Sequence, residues 1–172
     1  MRWLALATAL AACTAHVPSG GDARAPMATV DFAPERLAGT WYQVAAFPAA
    51  FQRGCTQVTA TYTPRPDGTV GVANRCQRGG RLTGIDGVAE PVGPGRLKVR
   101  LQGVPFAGDF RVLSVLDDGR AVVIGTGGRT AGWVLSRDPM PRTPRLFEQA
   151  QAVFAAAGYD PARLERTMEA GK

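Results

Sequence analysis

The chain has 172 residues, with 20 lysines and arginines against 14 aspartates and glutamates, a formal net charge of +6. This length predicts one domain, large enough to bury a core, once an N-terminal leader is set aside. The 21 glycines and 13 prolines are typical of many short strands and turns rather than a helical bundle. The charge is compatible with a solvated basic surface or with affinity for anionic lipid. The scattered basic residues disfavour nucleic acid as a partner, since none forms a run interleaved with aromatic residues.

The first residues have the pattern of an export leader. Met1-Arg2 is followed by an alanine-rich apolar stretch, 3–12, that is too short to cross a bilayer. The leader ends in Ala11-Ala12-Cys13, which resembles a bacterial lipobox, where the cysteine becomes a lipid-modified N-terminus bearing acyl chains such as palmitate. An ordinary leader with an incidental cysteine is the alternative.

We therefore expect a lipoprotein signal peptide over 1–12, a flexible tether over 13–33 and one domain over 34–172. Because several acyl chains anchor a protein stably, the expected partner of Cys13 is a membrane. Thr14 is not aspartate, and in the lipobox resemblance this favours the bacterial outer membrane, with the domain facing the periplasm.

The remaining cysteines, Cys55 and Cys76, are expected to form a disulfide. An exported protein meets an oxidising compartment, and a hairpin would bring the start of one predicted strand near the end of the next. Strand alternation alone does not place the two cysteines opposite each other, so Cys55 is expected on the shoulder of a loop. The only histidine, His16, falls in the tether, so neither a Cys/His metal site nor a cofactor is expected.

Alternation and turn residues predict eight strands. Asp67-Gly68 and Asp118-Gly119 are expected in hairpin turns, whereas Asp86-Gly87 falls inside a strand and is expected to mark a bend or bulge. Short strands in even succession predict an all-β meander closed into an antiparallel barrel. The predicted strands span 40–47, 55–63, 69–76, 82–90, 96–102, 108–116, 120–126 and 130–137.

Alternation also assigns the strand faces. Leu97, Val99 and Leu101 share one side of their strand, in the clearest period-two pattern of the chain. Trp41, Gln43, Ala45 and Phe47 share a side of the first strand, and Trp133, Leu135 and Arg137 share a side of the last. Around Phe110 two alternations compete for the interior, and the sequence leaves both open. Small inward candidates, Ala45, Ala60, Gly87 and Ala89, favour a ligand cavity over the alternative of a filled core.

One amphipathic helix of about 14 residues is predicted after the barrel. Thr143-Pro144 would start it and Gly158 would end it, with apolar residues between them at helical spacing. We expect its apolar face to pack on the outside of the barrel. A membrane-surface helix is the alternative, although its polar face is not a basic stripe.

Three short blocks make the chain resemble the lipocalin family, and among lipocalins the bacterial outer-membrane lipoproteins. They are Gly39-x-Trp41, Gly108-Asp109-Phe110, in which only the aspartate of the family block is kept, and Ser136-Arg137. The resemblance implies an eight-stranded up-and-down β-barrel with a C-terminal α-helix packed on its outside. It also implies that Gly39, Trp41 and Arg137 form a structural seal at the closed end. The family adds a ninth strand after its helix, whereas residues 160–166 of this chain look like a second short helix capped by Asp160.

The function implied by the resemblance is binding, storage or transport of a hydrophobic small molecule, such as a fatty acid or lysophospholipid. Asn74 and Arg75 are candidates to meet a headgroup. A lipid-modifying enzyme and a structural envelope lipoprotein with a filled barrel are the alternatives. No catalytic residue is expected, because no nucleophile and base converge. Whether two barrels pair as a homodimer is left open. The candidate lining residues are Phe47, Tyr62, Val72, Asn74, Leu97, Val99, Leu101, Phe106, Phe110 and Trp133.

Overall fold

The computed structural model describes residues 27–141 and 145–167, so the predicted leader, Cys13 and the predicted helix start at Thr143 lie outside the described residues. Within these ranges eight antiparallel strands follow one another around a closed barrel, and pairing of the first strand with the second closes it. The predicted fold class is confirmed. The strands are β1 (Gly39–Ala46), β2 (Cys55–Pro64), β3 (Val70–Arg78), β4 (Arg81–Gly93), β5 (Arg96–Leu101), β6 (Gly108–Leu116), β7 (Ala121–Thr126) and β8 (Gly132–Ser136).

The barrel has two different ends. A 3-10 helix, Pro34–Leu37, precedes β1 and lies at the end that we call the closed end. The opposite end, called the mouth, carries the β1–β2, β3–β4, β5–β6 and β7–β8 connections. Asp67-Gly68 and Asp118-Gly119 lie in closed-end hairpin turns, as predicted, with φ of +80° at Gly68 and +88° at Gly119.

Asp86-Gly87 does not mark a bulge, contrary to the sequence prediction. Gly87 pairs in uninterrupted register with Val72 on one side and with Leu101 on the other. A Cβ atom at Gly87 would collide with the carbonyl oxygen of Arg100. The glycine is therefore explained by the close approach of a neighbouring strand, which is the other common reason for glycine within a strand.

The disulfide between Cys55 and Cys76 is confirmed, and a bulge explains how it forms. The β2–β3 register shifts by one residue between Thr56 and Thr59, and Gln57 within this bulge has a φ of +49°. Cys55 lies opposite Arg78 and so shares a strand face with Cys76. The expected loop shoulder is wrong, because Cys55 already belongs to β2 and the extra residue resets the alternation.

Two further bulges change the strand faces of β1 and β6. In β1 the register against β8 shifts between Gln43 and Ala45, so that Ala45 turns outward. In β6 the register against β7 shifts between Val112 and Ser114. The two alternations that competed around Phe110 each hold for half of the strand. Phe110 and Val112 face inward before the bulge, and Val115 faces inward after it.

The predicted helix is present as α1 (Leu146–Ala156) and packs on the outside of the barrel. Its C-terminus is a Schellman motif: the N–H of Gly158 donates to the oxygen of Ala155, and the N–H of Tyr159 donates to that of Phe154. Gly158 has a φ of +82°, which favours glycine. The rings of Phe154 and Tyr159 meet at 5.0 Å between centroids and supply the apolar contact usual for this motif.

Residues after α1 contain both a short helix and a strand, the two alternatives that the sequence left open. Asp160 caps a short 3-10 helix, Pro161–Arg163, by accepting from the N–H of Ala162. A ninth strand, β9 (Glu165–Arg166), then pairs with β1 beside the helix. The alternative that the sequence left open is therefore answered by both elements, and the strand forms because the edge of β1 beyond its bulge is available for pairing.

The last part of the predicted tether packs on the barrel. Met27 and Phe32 are buried, and the N–H of Val30 donates to the carbonyl of Val112. Residues before position 34 thus contribute to the packing of the barrel. Among the described residues, no helix has the length and apolar character needed to span a membrane.

Candidate functional site

Three aromatic side chains meet inside the barrel: Phe110 and Trp133 come from the mouth ends of their strands, and Tyr62 comes from the closed-end half of β2. The ring of Phe110 on β6 stacks on that of Trp133 on β8 at 6.4 Å between centroids, and meets the ring of Tyr62 on β2 edge-on at 6.4 Å. Tyr62 is buried, whereas Phe110 and Trp133 are partly exposed. We call Tyr62, Phe110 and Trp133 the aromatic trio. It presents a large apolar surface to anything that enters the barrel.

Burial of the inward-facing side chains falls from the closed end to the mouth. Leu37, Trp41 and Val112 at the closed end are at most 1% exposed, so this half of the interior is filled by protein. Towards the mouth, inward-facing Val99 and Leu101 are only partly buried. The inward-facing apolar surface that remains partly accessible therefore lies in the mouth half of the barrel, whereas the sequence predicted a cavity without locating it.

Most of the predicted lining residues are brought together by this arrangement. Tyr62, Val72 and Leu97 are buried in the interior cluster, and Val99, Phe110 and Trp133 pack against it. Asn74 faces inward opposite Ala60 and Ile85, and Leu101 lies opposite Gly87. Phe106 is not brought into the interior and stands exposed on the β5–β6 loop at the mouth.

Phe47 was predicted to line the cavity, and the structure corrects this. Its ring packs between barrel and helix, 4.8 Å from the ring of Phe154 and 4.9 Å from that of Tyr159. The prediction assumed that the strand faces alternate strictly from Trp41 to Phe47. The bulge in β1 lies between these residues and reverses the faces of the residues that follow it. Ala45, predicted to leave space in the lumen, likewise lies under the helix.

The mouth contains a chain of amide hydrogen bonds that sequence analysis missed. Trp133 Nε1 donates to Gln52 Oε1 at 3.4 Å, and Gln52 Nε2 donates to Gln43 Oε1 at 2.9 Å. Gln43 Nε2 then donates to the hydroxyl of Thr167 beyond β9. Because Gln52 belongs to the β1–β2 loop, this chain fixes that loop against the aromatic trio. In the sequence, the only sign of these hydrogen bonds is Gln43, a polar residue on an otherwise apolar strand face.

Arg75 is not available to a ligand headgroup inside the barrel. It faces outward, where Nη1 lies 2.6 Å from Asp86 Oδ1. Hydrogen bonding to Asp86 raises the pKa of Arg75. The retained aspartate of the middle family block, Asp109, also faces outward and pairs with Arg111 at 2.8 Å. These charged pairs brace the barrel wall and do not contact the inward-facing trio.

At the closed end, Arg137 lies over Trp41. The guanidinium carbon is 3.7 Å from the ring centroid, and the indole Nε1 donates to Leu37 O at 2.7 Å. Partial burial, and secondarily the nearby charge of Arg120, lower the pKa of Arg137. Gly39 has a φ of +91°, and a Cβ there would lie 3.2 Å from Arg137 Nη1. This geometry is what a seal formed by Gly39, Trp41 and Arg137 requires.

Two depressions lie on the outer face of β2–β5, with volumes of about 450 and 660 Å³. Outward-facing side chains such as Thr63 and Arg100 line the larger one, so it is separate from the aromatic trio. Within residues 27–141 and 145–167, no three histidine, cysteine, aspartate or glutamate side chains are arranged to hold a metal ion.

The family model for the lipocalin-like domain matches residues 30–169, most of the chain. The chain belongs to the lipocalin family. The match begins within the segment 27–33 that packs on the barrel, and it extends past β9.

Relatives in several kingdoms share this domain. Temperature-induced lipocalin-1 of Arabidopsis thaliana is 33% identical over 144 residues, covering 77% of this chain and 77% of the plant protein. The outer membrane lipoprotein Blc of Escherichia coli K12 is 33% identical over 139 residues, covering 78% and 77%. A putative lipocalin of Acanthamoeba polyphaga mimivirus is also 33% identical over 139 residues, covering 77% and 82%. The plant and viral relatives are therefore as similar in sequence to this chain as the bacterial lipoproteins are.

Solved structures support the fold of this lipocalin. Lobster apocrustacyanin A1 superposes with a TM-score of 0.66 at 18% identity, covering 80% of this chain and 79% of that one. Insecticyanin from the tobacco hornworm gives 0.65 at 16% identity, covering 83% and 82%. At this level of identity, the similarity concerns the barrel architecture alone.

Proposed function

We propose that this lipocalin binds, stores or transports a hydrophobic molecule, such as a fatty acid or lysophospholipid, in the mouth half of its barrel. The observation that carries the proposal is the inward-facing aromatic trio, of which Phe110 and Trp133 are partly exposed, as are Val99 and Leu101. Burying apolar surface there contributes about 25 cal/mol per Å², less the cost of ordering the ligand. The filled closed half limits how deeply a chain can enter.

The inward-facing positions favour binding over turnover. In the described strands, these positions carry no aspartate, glutamate or histidine near the trio; their polar groups there are amides and hydroxyls such as those of Gln43 and Asn74. Neither amide is a general base, and the two cysteines near the mouth are joined. The expected ligand is therefore held by shape and apolar contact, with an amide available for one polar atom.

The location that we propose is the periplasmic face of a bacterial outer membrane, with Cys13 lipid-modified. The support is the leader-like sequence before Cys13 and the similarity to the Blc outer membrane lipoproteins. Native mass spectrometry of protein purified from its own envelope tests both parts of the proposal. It should show a mass increase for acyl groups at Cys13 and a co-purified lipid that dissociates on activation. An unmodified Cys13 and an empty barrel would contradict it.

Substitution at the trio tests the binding site directly. We expect Trp133→Ala to weaken binding of an environment-sensitive fluorescent fatty acid about tenfold or more, a loss of roughly 1.4 kcal/mol. The effect on stability should be modest because Trp133 is only partly buried. Phe47→Leu is the matched control: it should lower the unfolding midpoint through lost packing on Phe154 and leave the affinity unchanged. Equal affinities in all three proteins would contradict a binding site at the trio, and failure of the parent to bind the fluorescent fatty acid would favour a structural lipoprotein with a filled barrel.

A further inference from the structure

Large apolar side chains are exposed at the mouth. We call residues 47–54, 78–82, 102–107 and 127–131 the mouth rim. Phe51 is 64% exposed, Leu82 67% and Phe106 72%, and Val104, in the same segment as Phe106, is 37% exposed. Elsewhere in the described residues, the large exposed apolar side chains are Val92 and Met140, both at the closed end. Clustered exposure of this kind marks an interaction surface, whereas isolated exposed residues do not.

The barrel is also electrically polarised from end to end. The mouth rim carries four arginines and neither aspartate nor glutamate. The closed-end segments 31–38, 64–69, 90–95, 116–120 and 137–141 carry seven carboxylates against four arginines. The apolar rim is therefore embedded in positive charge, and the opposite end is net negative.

Hydrogen bonds hold the rim in its exposed form. Arg78 Nη2 donates to the carbonyl oxygen of Phe51 at 2.6 Å and lies 3.3 Å from the sulfur of Cys55. Phe51 lies on a 3-10 helix, Ala50–Gln52, whose Gln52 bonds to Gln43 and Trp133. These hydrogen bonds hold the backbone of Phe51 in the position that exposes its ring. Its exposure is built into the native structure.

We propose that the mouth rim docks, open end first, on the surface of an anionic phospholipid bilayer. Aromatic rings partition into the headgroup region, where arginines meet lipid phosphates and each strengthens binding roughly fivefold. Repulsion of the acidic closed end fixes the orientation. With the mouth against the leaflet, a lipid chain enters or leaves the barrel without crossing bulk water. This inference concerns the rim and is independent of the acyl anchor proposed at Cys13.

Vesicle co-sedimentation tests the docking with a chain of residues 14–172, which keeps every described residue and lacks Cys13. The vesicles contain equal parts of phosphatidylglycerol and phosphatidylcholine, and vesicles of phosphatidylcholine alone serve as the neutral comparison. We expect binding to the anionic vesicles that weakens as salt shortens the screening length to a few ångströms. Phe51→Ser with Phe106→Ser should lower the partition coefficient at least tenfold. Val92→Ser with Met140→Ser, the matched pair at the closed end, should leave it unchanged.

Charge-reversal variants distinguish the effect of the arginines at the mouth rim from the effect of the protein's net charge. Arg53→Glu with Arg81→Glu should lower the partition coefficient at least about 25-fold, given roughly fivefold for each arginine removed. Arg65→Glu with Arg120→Glu changes the net charge by the same amount at the closed end, where both side chains are exposed, and should reduce binding far less. Equal losses in the two charge variants, or no vesicle binding by the parent chain, would overturn the docking.

Measuring fatty-acid binding by the same proteins without vesicles distinguishes the docking proposal from the proposed ligand-binding function. A parent chain that binds the fluorescent fatty acid and ignores anionic vesicles overturns the docking alone. A chain that docks through its rim and binds no fatty acid supports the docking and contradicts the proposed function.

Discussion

At the closed end of the barrel, the side chain of Arg137 lies over Trp41 and connects the end of β8 to the segment that leads into β1. While its guanidinium covers the indole ring at 3.7 Å, its two terminal nitrogens donate to the carbonyl oxygens of Arg36, Ala38 and Thr40. The first residue after β8 thus binds the backbone that enters β1. One planar cation covers the largest fully buried side chain of the protein's described residues while it donates to three carbonyls, which an ammonium group cannot do.

Substitutions at this contact should be costly to stability. We expect Trp41→Ala to lower the free energy of unfolding by about 3–5 kcal/mol, as for other large buried aromatic residues. Arg137→Lys should cost about 1–3 kcal/mol, because three carbonyls lose charged donors. Arg36→Lys is the matched control, since the Arg36 guanidinium also lies over a ring, that of Phe32 at 4.7 Å, and should cost under about 1 kcal/mol. Urea unfolding that ranks Arg36→Lys with Arg137→Lys would refute the seal.

Gly158 should resist replacement because of its backbone conformation. Its φ is +82°, and a Cβ would lie 2.9 Å from Arg129 Nε, which itself donates to Ala157 O at 2.7 Å. Gly158→Ala should therefore destabilise the protein by about 1 kcal/mol or more. Gly128→Ala, where a Cβ meets only the side chain of Thr130 at 3.7 Å, should change stability by less than about 0.5 kcal/mol. Thermal unfolding of the two variants checks the difference, and an equal shift would argue against the Schellman terminus.

Tyr62 should make the barrel sensitive to alkali. Burial raises the pKa of Tyr62 well above its ordinary value. Its pKa is higher in the folded state, so its contribution to stability is complete below a pH of about 10. It is then lost as the pH rises further, because only the unfolded chain releases the proton. Relative to the parent, Tyr62→Phe should gain about 1 kcal/mol between pH 10 and pH 11. Parallel curves of unfolding free energy against pH for the two proteins would contradict a buried neutral phenol.

The disulfide should contribute to stability through the loop that it closes. Cys55 and Cys76 are 21 residues apart, with Cα atoms at 5.5 Å. In the chain-entropy model, a loop of this size corresponds to about 3 kcal/mol. Cys55→Ala with Cys76→Ala should lose about that much in urea unfolding, and reductant should have no effect on the double variant. A double variant as stable as the oxidised parent would show that the unfolded chain is already constrained there.

Local patterns were sufficient to predict the strands. Alternation in 96–101 and the Asp-Gly turns depend only on neighbouring residues, and every predicted strand overlaps an observed one. The disulfide also followed from hairpin geometry. The C-terminal Glu165–Arg166 strand was missed because two residues carry no periodic signal, and they form a strand only by pairing with β1.

Assignment of the site residues failed where alternation is interrupted. Phe47 was placed in the lumen by counting in twos from Trp41, and the extra residue in β1 is visible only in its pairing with β8. Gln52 was missed for a different reason, since its role depends on a loop that folds back to Trp133 across 81 positions of the sequence. A single sequence does not record such distant contacts.

The bulges in β1 and β6 divide each strand into two independent halves. In both, the residues before and after the extra position keep their own partners on the neighbouring strand. A strand can therefore gain or lose one residue at this point while the registers on either side remain as they are. We expect homologues to vary in length at these two positions. A change of length there would leave the seal at Trp41 and the register of the closed half unaltered.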